Sequence, residues 1–197
     1  MMIKPKKLKR GDTIAVLSPS SGAPQKFPHI FEHGLSILER EFGFRVKEYP
    51  TTRMSSKALY ENPKARAEDM NRAFLDPEVK GIICSIGGDD SVRILRYLDT
   101  ESILKNRKLL MGYSDSTTFL AYLNKLGLVT YYGPSIMSGF SYLNCFPEAL
   151  EEYKRVFFEN APYEIQPFSV WADAYRRWEY PENTGKVERM REDHTHH

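Results

Sequence analysis

Long apolar runs are missing from this sequence. No stretch approaches the roughly 20 consecutive apolar residues that a membrane-spanning helix needs, so no membrane partner is expected. Cysteine is scarce, at 2 residues in 197. Cys84 and Cys145 stand apart without C-x-x-C spacing, which argues against a disulfide framework and for reduced thiols in a cytoplasmic protein. An excess of one charge is also lacking: 28 Lys and Arg face 26 Asp and Glu, for a net +2, and nothing points to nucleic acid. The basic leader (Lys4, Lys6, Lys7, Lys9, Arg10) mimics the start of a signal peptide, but the apolar run behind it is far too short. Internal repeats and low-complexity segments are absent.

What is present can build a core. Hydrophobic residues make up 41% and aromatics 13%, which excludes general disorder. The length suits one domain, or one domain with part of another. Gly11-Asp12 leads into an apolar strand over 13–17, followed by the loop Ser18-Pro19-Ser20-Ser21-Gly22. Pro28 opens a helix to about residue 41, with Phe31, Leu35, Leu38 and Phe42 at helical spacing. A second strand is expected over 44–49. After a polar loop comes a helix capped by Asn62, with Pro63 first and Ala67, Met70, Ala73 and Phe74 turned inward. Further strands are expected over 79–86, 109–111 and 129–132. Helices are expected over 91–98 with Ser91 as cap, over 117–126 behind Ser116 and Thr117, and over 147–159. This alternation predicts an α/β fold, a mostly parallel sheet with helices on both faces, over residues 1–165. Residues 166–197 lose all periodicity, and read as an aromatic-rich linker or the start of an incomplete C-terminal domain.

In such sheets ligands collect at the carboxyl ends of the strands. Three loops share that address: 18–22, 87–91 and 113–116. The last lies in Gly112-Tyr113-Ser114-Asp115-Ser116, a serine at the tip of a strand-to-helix turn with a small residue two places away on each side. That is the arrangement of a nucleophile elbow, although Ser116 stands where the strict pattern has glycine. The alternative is an ordinary turn rich in helix-capping residues. Gly87-Gly88 could cradle a phosphate, yet neither phosphate-loop pattern is present. Their other use is to bring a backbone N–H close to Ser114 as part of an oxyanion hole.

His29-Ile30-Phe31-Glu32-His33 spells the H-x-x-E-H pattern of some zinc peptidases. Both histidines fall opposite the apolar stripe of their helix and no third ligand is evident, so no metal is expected. His194, His196 and His197 read as a frayed tail. A serine hydrolase also needs a base to take the hydroxyl proton, and neither group of histidines lies at a strand end near Ser114.

The segments 11–20, 76–84, 86–88 and 112–117, in this order, resemble the LD-carboxypeptidase family of serine peptidases. They are most similar to its branch of microcin C immunity proteins, and the likeness covers roughly residues 5–165. The resemblance implies an N-terminal α/β domain with Ser114 as nucleophile. Its oxyanion donors would be the backbone amides of Asp115 and Gly88, with Gly87 and Tyr113 beside the substrate. It implies a Ser-Glu-His triad, no cofactor, and often a homodimer. The substrate would be a murein tetrapeptide or an aminoacyl-nucleotide antibiotic, cleaved in the cytoplasm. Trp171 and Trp178 resemble the aromatic insertion of the immunity branch, a stacking platform for a base; the alternative is an aromatic patch over a domain junction. The family's glutamate and histidine come from a C-terminal domain that this chain is expected to lack, which would leave it inactive or nearly so alone. Two other readings stay open: a non-catalytic binding or immunity remnant, and a flavodoxin-like module holding phosphate at 87–91.

Overall fold

The apolar run behind Gly11-Asp12 forms strand β1 (Thr13–Leu17), buried along its whole length. The structure is a computed structural model that describes residues 2–159, 162, 164–188 and 190–191, the last two by backbone alone. The histidines His194, His196 and His197 lie outside the described residues. β1 lies between β2 (Arg45–Glu48) and β3 (Val79–Cys84), followed outward by β4 (Leu109–Gly112) and β5 (Tyr131–Tyr132). The order is β2-β1-β3-β4-β5 and every pairing is parallel. A parallel neighbour must be reached by a crossover, and the helices provide it. They are α1 (Ala23–Lys26), α2 (Pro28–Phe42), α3 (Ser56–Glu61), α4 (Pro63–Leu75), α5 (Thr100–Lys105), α6 (Thr117–Lys125) and α7 (Pro147–Phe158).

Alternation along β1 sorts these helices onto two faces. Ile14 and Val16 point into a cluster with Phe31, Leu38 and Phe42 of α2 and Phe157 of α7. Ala15 and Leu17 point into the opposite cluster with Ala67, Met70 and Phe74 of α4 and Phe119 and Leu123 of α6. The expected α/β fold, a mostly parallel sheet covered on both faces, is what forms. α2 stops at Gly43, whose φ of 70° places it in the left-handed cap conformation that glycine takes without strain. Among the described residues no helix is long and apolar enough to cross a membrane.

Several local expectations need correction. Residues 91–98 form a 3-10 turn (Ser91–Tyr97), and Ser91 does not cap it: its hydroxyl donates to the Asp115 carbonyl. Asn62 turns its amide back to the Ala58 carbonyl, so α4 begins without a side-chain cap. The polar loop before it holds α3, capped by Ser55 Oγ accepting from Ala58 N–H. α5 fills the stretch before β4. β6 (Val170–Trp171) pairs antiparallel with β7 (Met190–Arg191), in the region read as aperiodic. Strands of two residues are too short to show a period.

The strands reverse direction of progression between β1 and β3, the point at which ligands bind in open sheets of this kind. The core beneath is aromatic. Phe42, fully buried, meets Phe157 edge-on at 5.4 Å and Phe140 at 5.9 Å. Phe42→Ala should therefore cost about 3–5 kcal/mol in urea unfolding, whereas half-exposed Leu75→Ala should cost less than about 1 kcal/mol. Equal losses at the two positions would contradict this core.

Candidate active site

Ser114 is the one non-glycine residue with positive φ among the described residues, at 58°. That conformation costs an L-residue about 1–2 kcal/mol, so the surroundings must hold it. Ser116 N–H donates to the Tyr113 carbonyl at 3.3 Å and Thr117 Oγ1 to the Ser114 carbonyl at 2.5 Å, closing the turn into α6. Tyr113 remains extended, so the chain reverses at Ser114 and leaves it exposed at the end of β4.

The neighbouring loop is pressed against this turn. A Cβ on Gly87 would lie 2.9 Å from Ser114 Cβ and 3.0 Å from its Oγ. A Cβ on Gly88 would lie 2.9 Å from Ser20 Cβ. Both glycines answer to close approach of backbone, the first to Ser114 and the second to the loop after β1. Gly88 N–H donates to no protein acceptor among the described residues. Ser21 Oγ donates to the Gly87 carbonyl at 2.8 Å, joining the first loop to the second. Ser91 N–H donates to the Asp115 carboxylate at 3.1 Å and Ser91 Oγ to its carbonyl at 2.7 Å, joining the second to the third. Asp115 thus uses its side chain to hold loops together. Cys84, behind Gly112, is fully buried, and that burial pushes its thiol up to about 12, so it remains a neutral, inert filler.

Aromatic rings flank the turn. Tyr113 meets Tyr132 edge-on at 6.3 Å. Tyr175 stacks on Tyr142 at 4.7 Å and lies close to Tyr113; partial burial, followed by the Tyr113 phenol, raises its pKa. Trp178 gives its indole N–H to Tyr142 OH at 2.7 Å and meets Phe27 edge-on at 5.5 Å. Trp171 is 44% exposed on β6, and no ring contact joins it to Tyr113 or Trp178 among the described residues. Of the residues singled out in the sequence, Tyr113, Ser114, Asp115, Gly87 and Gly88 are therefore brought together. Trp178 reaches them only through Tyr142 and Tyr175, and Trp171 stands apart. Tyr132 and Tyr175 were missed as neighbours of the turn; only their aromaticity could have signalled it.

The H-x-x-E-H stretch has a use in the fold. His29 Nε2 bonds the Trp178 carbonyl at 2.8 Å. His33 Nε2 is buried without a partner against Gly185, where a Cβ would lie 2.4 Å from it. Glu32 pairs with Arg53 at 2.6 Å. The two histidines are a docking face for the segment that carries Tyr175 and Trp178. Among the described residues no three His, Cys, Asp or Glu side chains group as a metal site. Neither described histidine hydrogen-bonds Ser114: His29 bonds the Trp178 carbonyl and His33 Nε2 has no partner.

A model of the LD-carboxypeptidase N-terminal domain matches residues 14–133. Over 131 residues the chain is 35% identical to the microcin C7 self-immunity protein MccF of Escherichia coli, covering 66% of this chain and 38% of that protein. Over 158 residues it is 34% identical to a probable murein peptide carboxypeptidase of Bacillus subtilis, covering 79% and 48%. Apo wild-type MccF superposes with a TM-score of 0.81 at 28% identity, covering 96% of this chain and 56% of that one. An MccF-like protein from Bacillus anthracis gives 0.80 at 30% identity, covering 96% and 56%. MccF has also been solved in complex with glutamyl sulfamoyl guanosine. The chain spans about half the length of the curated relatives it matches, 52% of one and 54% of another.

The docked histidine makes a pH test available. Burial lowers the His33 pKa below its ordinary 6.5; the nearby Asn144 amide opposes this and the Arg40 charge adds to it. The folded value lies under the unfolded one, so the docked state is fully stable above pH 6.5 and loses stability as pH falls through the folded value. In a Trp171→Phe background, Trp178 emission should shift to the red as pH falls below the ordinary histidine value of 6.5, and His33→Asn should flatten the shift. Emission independent of pH in that background would contradict this docking.

Proposed function

The chain belongs to the LD-carboxypeptidase family, and from that premise we propose that Ser114 is the nucleophile of a peptide or aminoacyl-amide hydrolase. The observation that carries this reading is the backbone of Ser114, held at a φ of 58° at the tip of the β4–α6 turn. A strained serine lifted off a strand end is what an activated nucleophile requires geometrically.

In this reading Ser114 Oγ attacks the carbonyl carbon of the scissile amide. The negative charge that develops on the carbonyl oxygen is met by the N–H groups of Asp115 and Gly88, and Gly87 allows the second loop to come close enough. The serine proton passes to a general base and then to the departing amine. The family resemblance assigns that relay to a histidine and glutamate of a C-terminal domain, and residues 1–165 then supply the nucleophile unit. Tyr175 and Trp178, in the continuation, supply the aromatic wall.

The substrate is a small molecule with an amide to an amino acid. A relative named for murein peptides and another solved with an aminoacyl-nucleotide analogue support the two candidate classes. Tyr113, Tyr132 and Tyr175 beside the turn suit a ligand with a planar ring, which favours the aminoacyl nucleotide. Trp178 already spends its N–H on Tyr142 and Trp171 stands apart from the turn, so the base-stacking role of the two tryptophans rests on the family resemblance alone. Free thiols at Cys84 and Cys145 suit a reducing, cytoplasmic setting, and a homodimer follows from the resemblance alone.

The test is hydrolysis of a murein tetrapeptide and of an aspartyl-nucleotide amide by wild type and Ser114→Ala. Loss of the serine should lower kcat by about 10⁴–10⁶ where turnover exists. Equal turnover in the variant would remove Ser114 as nucleophile. A second reading is a non-catalytic binder of the same small molecule. No turnover in wild type, with unchanged ligand affinity in Ser114→Ala, would select it.

A further inference from the structure

Arg66 of α4 is a fully buried guanidinium, its side chain 0% exposed. Burying such a charge is costly unless it is paired; its Nε finds no partner among the described residues, and the bonds of Nη1 and Nη2 all leave its own helix. Nη1 donates to the Pro19 carbonyl at 2.8 Å, to Asp90 Oδ1 at 2.8 Å and at 3.5 Å to the Ser20 carbonyl. Nη2 donates to Asp90 Oδ2 at 3.2 Å, completing a bidentate fork. One planar group therefore ties the loop after β1 to the loop after β3, on the same two loops where Gly88 packs on Ser20.

Asp90 is held from a second side. Arg93 Nη1 donates to its Oδ2 at 2.9 Å and to the Tyr60 carbonyl at 2.7 Å, with the guanidinium over the Tyr60 ring. Burial alone would raise the Asp90 carboxyl, but hydrogen bonds from Arg66 and Arg93 outweigh it and hold the pKa below its ordinary value. The residue after Asp90 is Ser91, which grips Asp115 through N–H and hydroxyl. The chain of contacts thus runs from α4 through Asp90 and Ser91 to the residue after Ser114.

Gly87 and Gly88 sit inside this frame. Two consecutive glycines have the largest backbone freedom available, so a fixed position must be imposed from outside. We infer that the Arg66–Asp90 pair is a positioning device that sets the Gly87-Gly88 backbone against Ser114. Its place in catalysis rests on Ser114 being the nucleophile, where a displacement of about 1 Å can cost on the order of 100-fold in rate. Neither residue touches the reacting atoms.

The experiment reads the loop directly and needs no turnover. Amide ¹⁵N relaxation is measured on wild type, Asp90→Asn and Arg66→Lys. Asp90→Asn keeps the shape and removes the charge; Arg66→Lys keeps the charge and removes the fork. In wild type the Gly87 and Gly88 amides should be as ordered as β3, with S² about 0.85, and in both variants they should fall below about 0.6 while β1 and β3 stay rigid. Unchanged order at Gly87 and Gly88 in folded Asp90→Asn overturns the inference, whether or not Arg66→Lys folds. So does an equal loss across the sheet, which would make the pair a general stabiliser. A loosened loop together with full activity in Ser114→Ala would leave the clamp standing and remove only the proposed chemistry.

Discussion

The structure depends on one close approach at the carboxyl edge of the sheet. Ser114 takes a left-handed backbone, and Gly87 comes so near that a methyl group there would collide with the serine side chain. Each half of this contact needs the other. A strained residue persists only when its neighbours over-determine it, and a glycine loop keeps its place only when something holds it. The parallel order of β1, β3 and β4 puts the three loops side by side, and short hydrogen bonds from Ser21 and Ser91 then stitch them.

Much of the frame was legible because it is periodic. β1 begins and ends where its apolar run does, and the inward faces of α2 and α4 are the residues that helical spacing selects. The close approach of Gly87 to Ser114 was legible for another reason: glycine and serine at strand ends have few uses. What could not be read depends on distant partners. Nothing near Arg66 in the chain announces that it will be buried against Pro19 and Asp90. His29 and His33 fall on a helix face that looks solvent-facing until residues near 178–185 cover it. The β6–β7 pairing joins residues far apart in sequence through strands too short to show a pattern.

The tryptophans show how contact divides a motif that composition unites. Both lie in the same aromatic stretch, yet Trp178 is locked by Phe27, Tyr142 and His29. Trp171 keeps an open face on an exposed strand. The locked residue positions a segment, and the open one does not take part in that packing. Tyr175 stacks on Tyr142 and meets Trp178 at 6.1 Å, which brings that segment towards Tyr113.

The central claim is that Ser114 presents its hydroxyl to a carbon whose oxygen faces two backbone amides. The most direct measurement is a crystal structure of the protein after prolonged exposure to a small alkyl fluorophosphonate. The account predicts phosphorus bonded to Ser114 Oγ, with its phosphoryl oxygen about 3 Å from the nitrogens of Gly88 and Asp115. An adduct on another residue with Ser114 untouched would contradict it, as would an adduct on Ser114 whose oxygen turns away from both amides.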